Sequence, residues 1–175
     1  MRGSRSGTSR GKGPGGVTNH IGRNVRLGKN VKIWHFAYIG DNTEIGDNVV
    51  IGSLTHVDYD VKIGANARIE GMVYLPPRTV IGKGAFIGPG AIFTNDPYPP
   101  SRHLTGVVVE EGAVICAGAM IRAGVTVGKN SVVGMGAVVV QNVPAGSVVM
   151  GVPARPRQSI EEFRQTRSRW EESSP

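Results

Sequence analysis

Few side chains in this sequence are equipped for chemistry. His35 (after Trp34), His56 and His103 (in PPSRH) supply imidazoles, which titrate near neutrality and can accept a proton. Asn95 and Asp96, in FTND, set a carboxamide and a carboxylate beside a run of prolines. Arg155 and Arg157 come just after GVPA, and the fixed donor fork of a guanidinium suits phosphate. Cys116 is the single cysteine, so no internal disulfide can form. No base neighbours it in the sequence to activate a thiolate.

The elements that must position these groups follow a period of six. From Ile21 to Phe93 every sixth residue is a large aliphatic or aromatic, usually followed by glycine, as in IGKGAF and IGPGAI. Four residues later stands a Val, Ala or Thr. The frame resumes, shifted in phase, at Val109 and runs to Val143. Helices repeat at 3.6 residues and half-buried strands at two, so neither explains this spacing. Three short strands and three bends make a triangular coil of about 18 residues, and coils stack at roughly 4.8 Å. Large aliphatics then fill a narrow prism while the small residues leave them room. Glycine after the aliphatic suits either a positive φ or a close backbone approach. The Asn of GRN, GKN, GDN and GAN tolerates turn conformations. The predicted fold is all-β: a single-stranded parallel β-helix of about six coils over 21–154. His35 and His56 lie out of step with an 18-residue coil and no His-x4-His pair occurs, so converging imidazoles for zinc are not expected.

Composition agrees with a thin prism: 26 glycines and 6% aromatics among 175 residues. The net charge of +7 is uneven, with Arg2, Arg5, Arg10 and Lys12 in a Gly/Ser-rich arm over 1–20 that holds no acid. The arm reads as flexible, and without interleaved aromatics it does not read as a nucleic-acid binder. No apolar run reaches membrane-spanning length and no signal segment opens the chain, so no membrane partner and a cytoplasmic location are expected. Between Phe93 and Val109 the frame breaks, and Pro97, Pro99 and Pro100 cannot serve a ladder, which predicts an external loop over 94–108. Beyond 155 a helix is predicted from Ser159, with Ile160, Phe163 and Trp170 sharing a face that covers the last coil.

The repeats, together with VKIWHFAYIGDNTEIGDNVVIG (31–52), FIGPGAIFTNDPYPPS (86–101) and GVPARP (151–156), resemble the hexapeptide-repeat acyltransferases. Within them the likeness is to the N-acetyltransferases of the 3-amine of a nucleotide-linked amino sugar. LTHVDYD (54–60) and LPPRT (75–79) depart from that subgroup. The resemblance implies a left-handed helix, acetyl-CoA as donor, no metal, a homotrimer, and active sites between adjacent subunits.

The resemblance also implies residue roles. Asn95 matches the asparagine that hydrogen-bonds the sugar amine, while Asp96 reads as a turn former. His103 and His35 are the candidate bases, although an amine of lowered pKa can attack unaided. Gly118, Ala119, Gly136 and Ala137 present small side chains at bends, where a thin pantetheine arm can approach the backbone. Arg155, and after it Arg157, are placed for a coenzyme A phosphate. The competing readings are acetylation of a hydroxyl and a non-catalytic β-helical scaffold.

Overall fold

The structure, a computed structural model, describes residues 18–173. Strands of two residues recur every six positions and pair in parallel with the strand 18 residues away, as His20 with Tyr38 and Ile21 with Ile39. The first face of the prism stacks seven strands, from His20–Ile21 to Val138–Val139. The second stacks six, from Arg26–Leu27 to Thr126–Val127. The third carries eight, from Lys32–Ile33 to Arg155–Ser159. This makes a parallel β-solenoid of about seven turns, one more than the sequence period suggests. The extra turn is hidden because Val132 pairs with Val148, a step of 16 residues that breaks the frame.

The core is built as the period requires. Ile39, Ile51, Ile69, Leu75, Ile87, Ile115 and Ile121 are fully buried, with Ala91, Ala119 and Ala137 between them. Thr43, Thr55, Thr79 and Ser131 sit among these apolar residues. Their hydroxyls donate to the carbonyls of Asp58, Glu70, Pro76 and Gly128, so each of the four is satisfied.

The two roles open to glycine separate cleanly. Glycines after the aliphatic are there for close approach: a Cβ on Gly52 would lie 2.4 Å from the Gly71 nitrogen. Positive φ falls two positions later, at Asn24, Asn30, Asn42, Asn48 and Asn66. Along one corner Asn30 donates to Asn48, and Asn48 to Asn66, through their side chains.

The excursion leaves the first face after Ile92–Phe93. Val80 pairs with Val108, so the step there grows from 18 to 28. Val107 is already buried and Val108–Val109 is a strand, so the loop spans 94–106 and ends sooner than expected. At the far end Arg155–Ser159 runs antiparallel to Ser147–Met150 and covers the edge of the third face. The helix Ile160–Ser173 begins at a reciprocal cap. The Ser159 N–H donates to Glu162 Oε2 at 2.7 Å, and the Glu162 N–H to Ser159 Oγ at 3.2 Å. Its first turn packs on the solenoid: Ile160 and Phe163 lie against Val132 and Val148. Trp170 is 68% exposed and does not join the expected buried face, because the strand already does the covering. No helix among the described residues is long and apolar enough to cross a membrane. Most of the predicted basic arm, residues 1–17, lies outside the described residues.

Candidate functional site

The loop is held from within and from both sides. Thr94 Oγ1 accepts the Ala123 N–H at 2.8 Å, and the Asn95 carbonyl accepts the Thr105 N–H at 2.8 Å. Asp96 is a turn former, as its sequence context predicts: its carboxylate accepts the backbone N–H groups of Tyr98 at 2.9 Å and Ser101 at 2.7 Å. Partial desolvation pushes its pKa up, but these bonds and one from the Ser101 hydroxyl outweigh it and hold the carboxyl below its ordinary value. Arg122 lies over the ring of Tyr98, with its guanidinium carbon 5.3 Å from the centroid. Arg78 donates to the Leu104 carbonyl at 3.4 Å.

Asn95 stands at the root of this loop, half-buried, and its carboxamide has no hydrogen-bond partner among the described residues. His103 is exposed on the same loop, where its backbone N–H donates to the Ser101 hydroxyl at 3.0 Å. His35 is elsewhere. It lies on the corner between third and first faces, three coils below Asn95 (roughly 14 Å along the axis) and across the first face from it. Its ring meets Trp34 edge-on at 6.2 Å. One chain therefore does not bring His35 to Asn95 or His103.

That same corner carries the donor candidates. Its positive-φ column reads Phe36, Leu54, Met72, Gly90, Gly118, Gly136 from bottom to top. Gly118 and Gly136 are exposed, with open space where a Cβ would be. Ala119 and Ala137 belong to the core instead, fully buried and with their N–H and C=O groups bonded within the coils. As the small partners of the repeat they point inward, so the expectation that they line a ligand site fails on geometry. The chain then passes over the top of the column. Gly134 and Val138 donate to the carbonyls of Val149 and Gly151, and Ala154 donates back to Val138. Arg155 emerges there, exposed, with one guanidinium N–H on the Ala154 carbonyl at 2.9 Å. Arg157 follows on the covering strand, also exposed.

Sequence reasoning missed two features. Arg122 occupies the slot after Ile121 that glycine usually fills, which is a readable signal. The other is a ring ladder on the first face. His20, Tyr38 and His56 stack at 4.5 Å intervals, with interplanar angles of 7° and 20°. Tyr74 follows edge-on at 5.5 Å, and burial together with the Asp58 carboxylate raises its phenol pKa. His56 points outward as the register predicts, but neighbouring rings flank it rather than a cleft. Burial also pushes the pKa of the half-buried Cys116 thiol up, away from the thiolate form. Among the described residues no three His, Cys, Asp or Glu side chains could hold a metal ion.

The chain is similar to PerB from Caulobacter crescentus, solved in complex with CoA and GDP-perosamine. The two are 28% identical over 80% of this chain and 54% of that one, with a TM-score of 0.54. It also shares its fold with the acetyltransferase domain of PglB from Neisseria gonorrhoeae, solved in complex with acetyl coenzyme A. There the identity is 22% over 79% of this chain and 54% of that one, at a TM-score of 0.50. The chain thus spans about half the length of these relatives. No curated protein sequence matches it. The hexapeptide repeat of succinyl-transferase matches residues 78–123. The bacterial transferase hexapeptide (six repeats) pattern matches residues 20–53, 42–76, 60–95 and 106–141, and with the repeats on every turn of the solenoid this makes the chain a member of that transferase family.

Proposed function

We propose that this protein transfers an acetyl group from acetyl-CoA to the amine of a nucleotide-linked amino sugar, the 3-amine by its sequence resemblance, and does so as a homotrimer. The observation that carries the reading is the placement of Gly90 and Asn95 at the two ends of one strand, Ile92–Phe93. The open glycine column suits a thin pantetheine arm, and Arg155 at its end suits a phosphate. Asn95, with its carboxamide uncommitted, suits the amine. Because the two lie on opposite edges of the first face, the column of one copy and Asn95 of a neighbouring copy make the site. PerB, which binds CoA and a GDP-linked amino sugar, supports both ligands.

The surface supports the assembly. Phe36, Leu54 and Met72, at the bottom of the same column, are 60%, 59% and 61% exposed in a left-handed conformation that bulky residues rarely adopt. The outward positions of the first face are His20, Tyr38, His56, Tyr74, Ile92, Met120 and Val138, none of them acidic or a Lys or Arg. Knobs at the bottom seat a neighbour, and where they give way to glycine a cleft remains between copies.

For the reaction, Asn95 orients the amine against the thioester carbonyl, and the neutral amine attacks without a fixed base. His103, exposed on the loop, is the candidate side chain to relay the released proton to solvent. His35 belongs to the apolar corner, and Arg157 to the approach of the phosphate site. The cytoplasm, where activated acyl and sugar donors are made, is the location this reading implies. The test is release of free thiol from acetyl-CoA with a panel of nucleotide-linked 3- and 4-amino sugars. Transfer to a 3-amino sugar is expected; transfer to simple hydroxyl acceptors alone overturns the reading.

A further inference from the structure

The loop carries one carboxylate, Asp96, and both of its oxygens are committed to backbone N–H groups. Around it stand three arginines. Arg78, Gly106 and Gly124 follow one another up the corner between first and second faces: Gly106 packs on the Arg78 carbonyl, and the Gly124 N–H donates to Gly106. Arg78 therefore flanks the loop root from one coil below, and Arg122 from one coil above. Arg102 is on the loop itself. None of the three is ion-paired to a carboxylate among the described residues.

Arg122 is the informative member. It is half-buried, and its guanidinium carbon lies over the Tyr98 ring, 5.3 Å from the centroid. The ring face attracts the cation, and its N–H donors, paired with no carboxylate among the described residues, suit phosphate oxygens, which a guanidinium binds in pairs. A half-buried cation held against a ring, beside a loop whose one carboxylate is committed to backbone N–H groups, is a preformed anion contact. It shares a corner with Asn95 and lies across the first face from the glycine column and Arg155.

We propose that Arg122, with Arg78 on the other flank of the loop, forms an anion subsite for the diphosphate of the nucleotide that carries the amino sugar. This rests on the acetyltransferase reading above. Coenzyme A also carries a diphosphate, so the chemistry has two sources. The acceptor is favoured because Asn95, not the donor column, is the neighbour of the subsite. Tyr98 acts as a positioning residue that holds the guanidinium over its ring face.

The experiment is calorimetric titration of the full chain with uridine diphosphate, guanosine diphosphate and coenzyme A, for wild type, Arg122→Gln, Arg122→Lys, Tyr98→Phe and Tyr98→Leu. Removal of a charge-assisted contact raises Kd by at least about tenfold. That rise is expected for a nucleoside diphosphate with Arg122→Gln, while the Kd for coenzyme A is unchanged. Arg122→Lys keeps the charge without the fork and falls between. Tyr98→Phe keeps the ring and retains affinity, whereas Tyr98→Leu loses part of it. Unchanged thermal midpoints show that folding is not the cause. The subsite is overturned if Arg122→Gln binds nucleoside diphosphates like wild type, if it weakens coenzyme A instead, or if wild type binds neither nucleotide. The acetyltransferase reading fails separately, when wild type binds the nucleotides but moves no acetyl group to any amino sugar.

Discussion

The carbonyl of Asn95 accepts the N–H of Thr105 at 2.8 Å, which ties the two ends of the loop together at its root. The next residue, Gly106, sits so tightly over the coil below that a Cβ there would lie 2.1 Å from the Arg78 carbonyl oxygen. Gly106→Ala should therefore lever the loop root away from the prism. Overpacking of this kind costs about 1–3 kcal/mol. For a chain of this size that lowers the thermal midpoint by roughly 2–12 °C. An unchanged midpoint and unchanged acetyl transfer would show that the root is slack.

The inward and outward registers give a second test. Ile81 is 1% exposed, whereas Lys83 is exposed with no ion-pair partner among the described residues. Ile81→Asp places an unpaired charge in a buried apolar prism and should prevent folding. Lys83→Asp should change stability by less than about 1 kcal/mol. Circular dichroism melts that moved equally for both would mean the register is misassigned.

Much of this was legible from the period alone. The aliphatics at Ile39, Ile51 and Ile69 and the threonines at Thr43 and Thr55 could be placed inward because a six-residue frame admits one solution. The last turn was not legible, since the 16-residue step from Val132 to Val148 leaves the frame. Ala119 and Ala137 were misread because a small residue can mean either a bend open to ligand or a space for a core neighbour. Only the neighbouring coils decide between them. The Tyr98–Arg122 contact joins two residues whose closeness depends on where an irregular loop folds back, and no period reports that.

The corner column separates folding from assembly. Asn is at home in the left-handed region, and in the same slot on another corner it forms the Asn30–Asn48–Asn66 ladder. Replacing Phe36, Leu54 and Met72 together by Asn should relieve backbone strain while removing the proposed seat for a neighbour. Circular dichroism should keep its β signature while light scattering shows the mass falling from trimer to monomer. A trimer that survives all three changes places the interface elsewhere.

Asp96 gives a pH dependence with a definite sign. Its folded pKa is lowered, so its contribution is present above the ordinary carboxyl value of about 3.9 and is lost as pH falls through the lowered one. The difference in thermal midpoint between wild type and Asp96→Asn should be steady at neutral pH and shrink as the pH is taken towards 2. A difference that stays constant down to pH 2 would mean the carboxylate charge does not hold the loop.

Donor and acceptor roles separate in the kinetics. If Arg155 grips a coenzyme A phosphate, Arg155→Ala should raise the KM for acetyl-CoA by roughly 10- to 150-fold, the range for losing a charge-assisted hydrogen bond. The acceptor KM should hardly move. Asn95→Ala should do the reverse, because its carboxamide has no other partner among the described residues and its loss leaves the fold intact. Part of the loss should fall in kcat, since a misplaced nucleophile costs rate as well as affinity. Calorimetry should show coenzyme A binding unchanged in that variant. His103→Ala then decides the fate of the proton. The ring is exposed on the loop, so its removal should leave most of the activity and the same pH profile if the amine attacks unaided. Loss of turnover with both ligands still bound would make His103 the base and overturn the unaided attack.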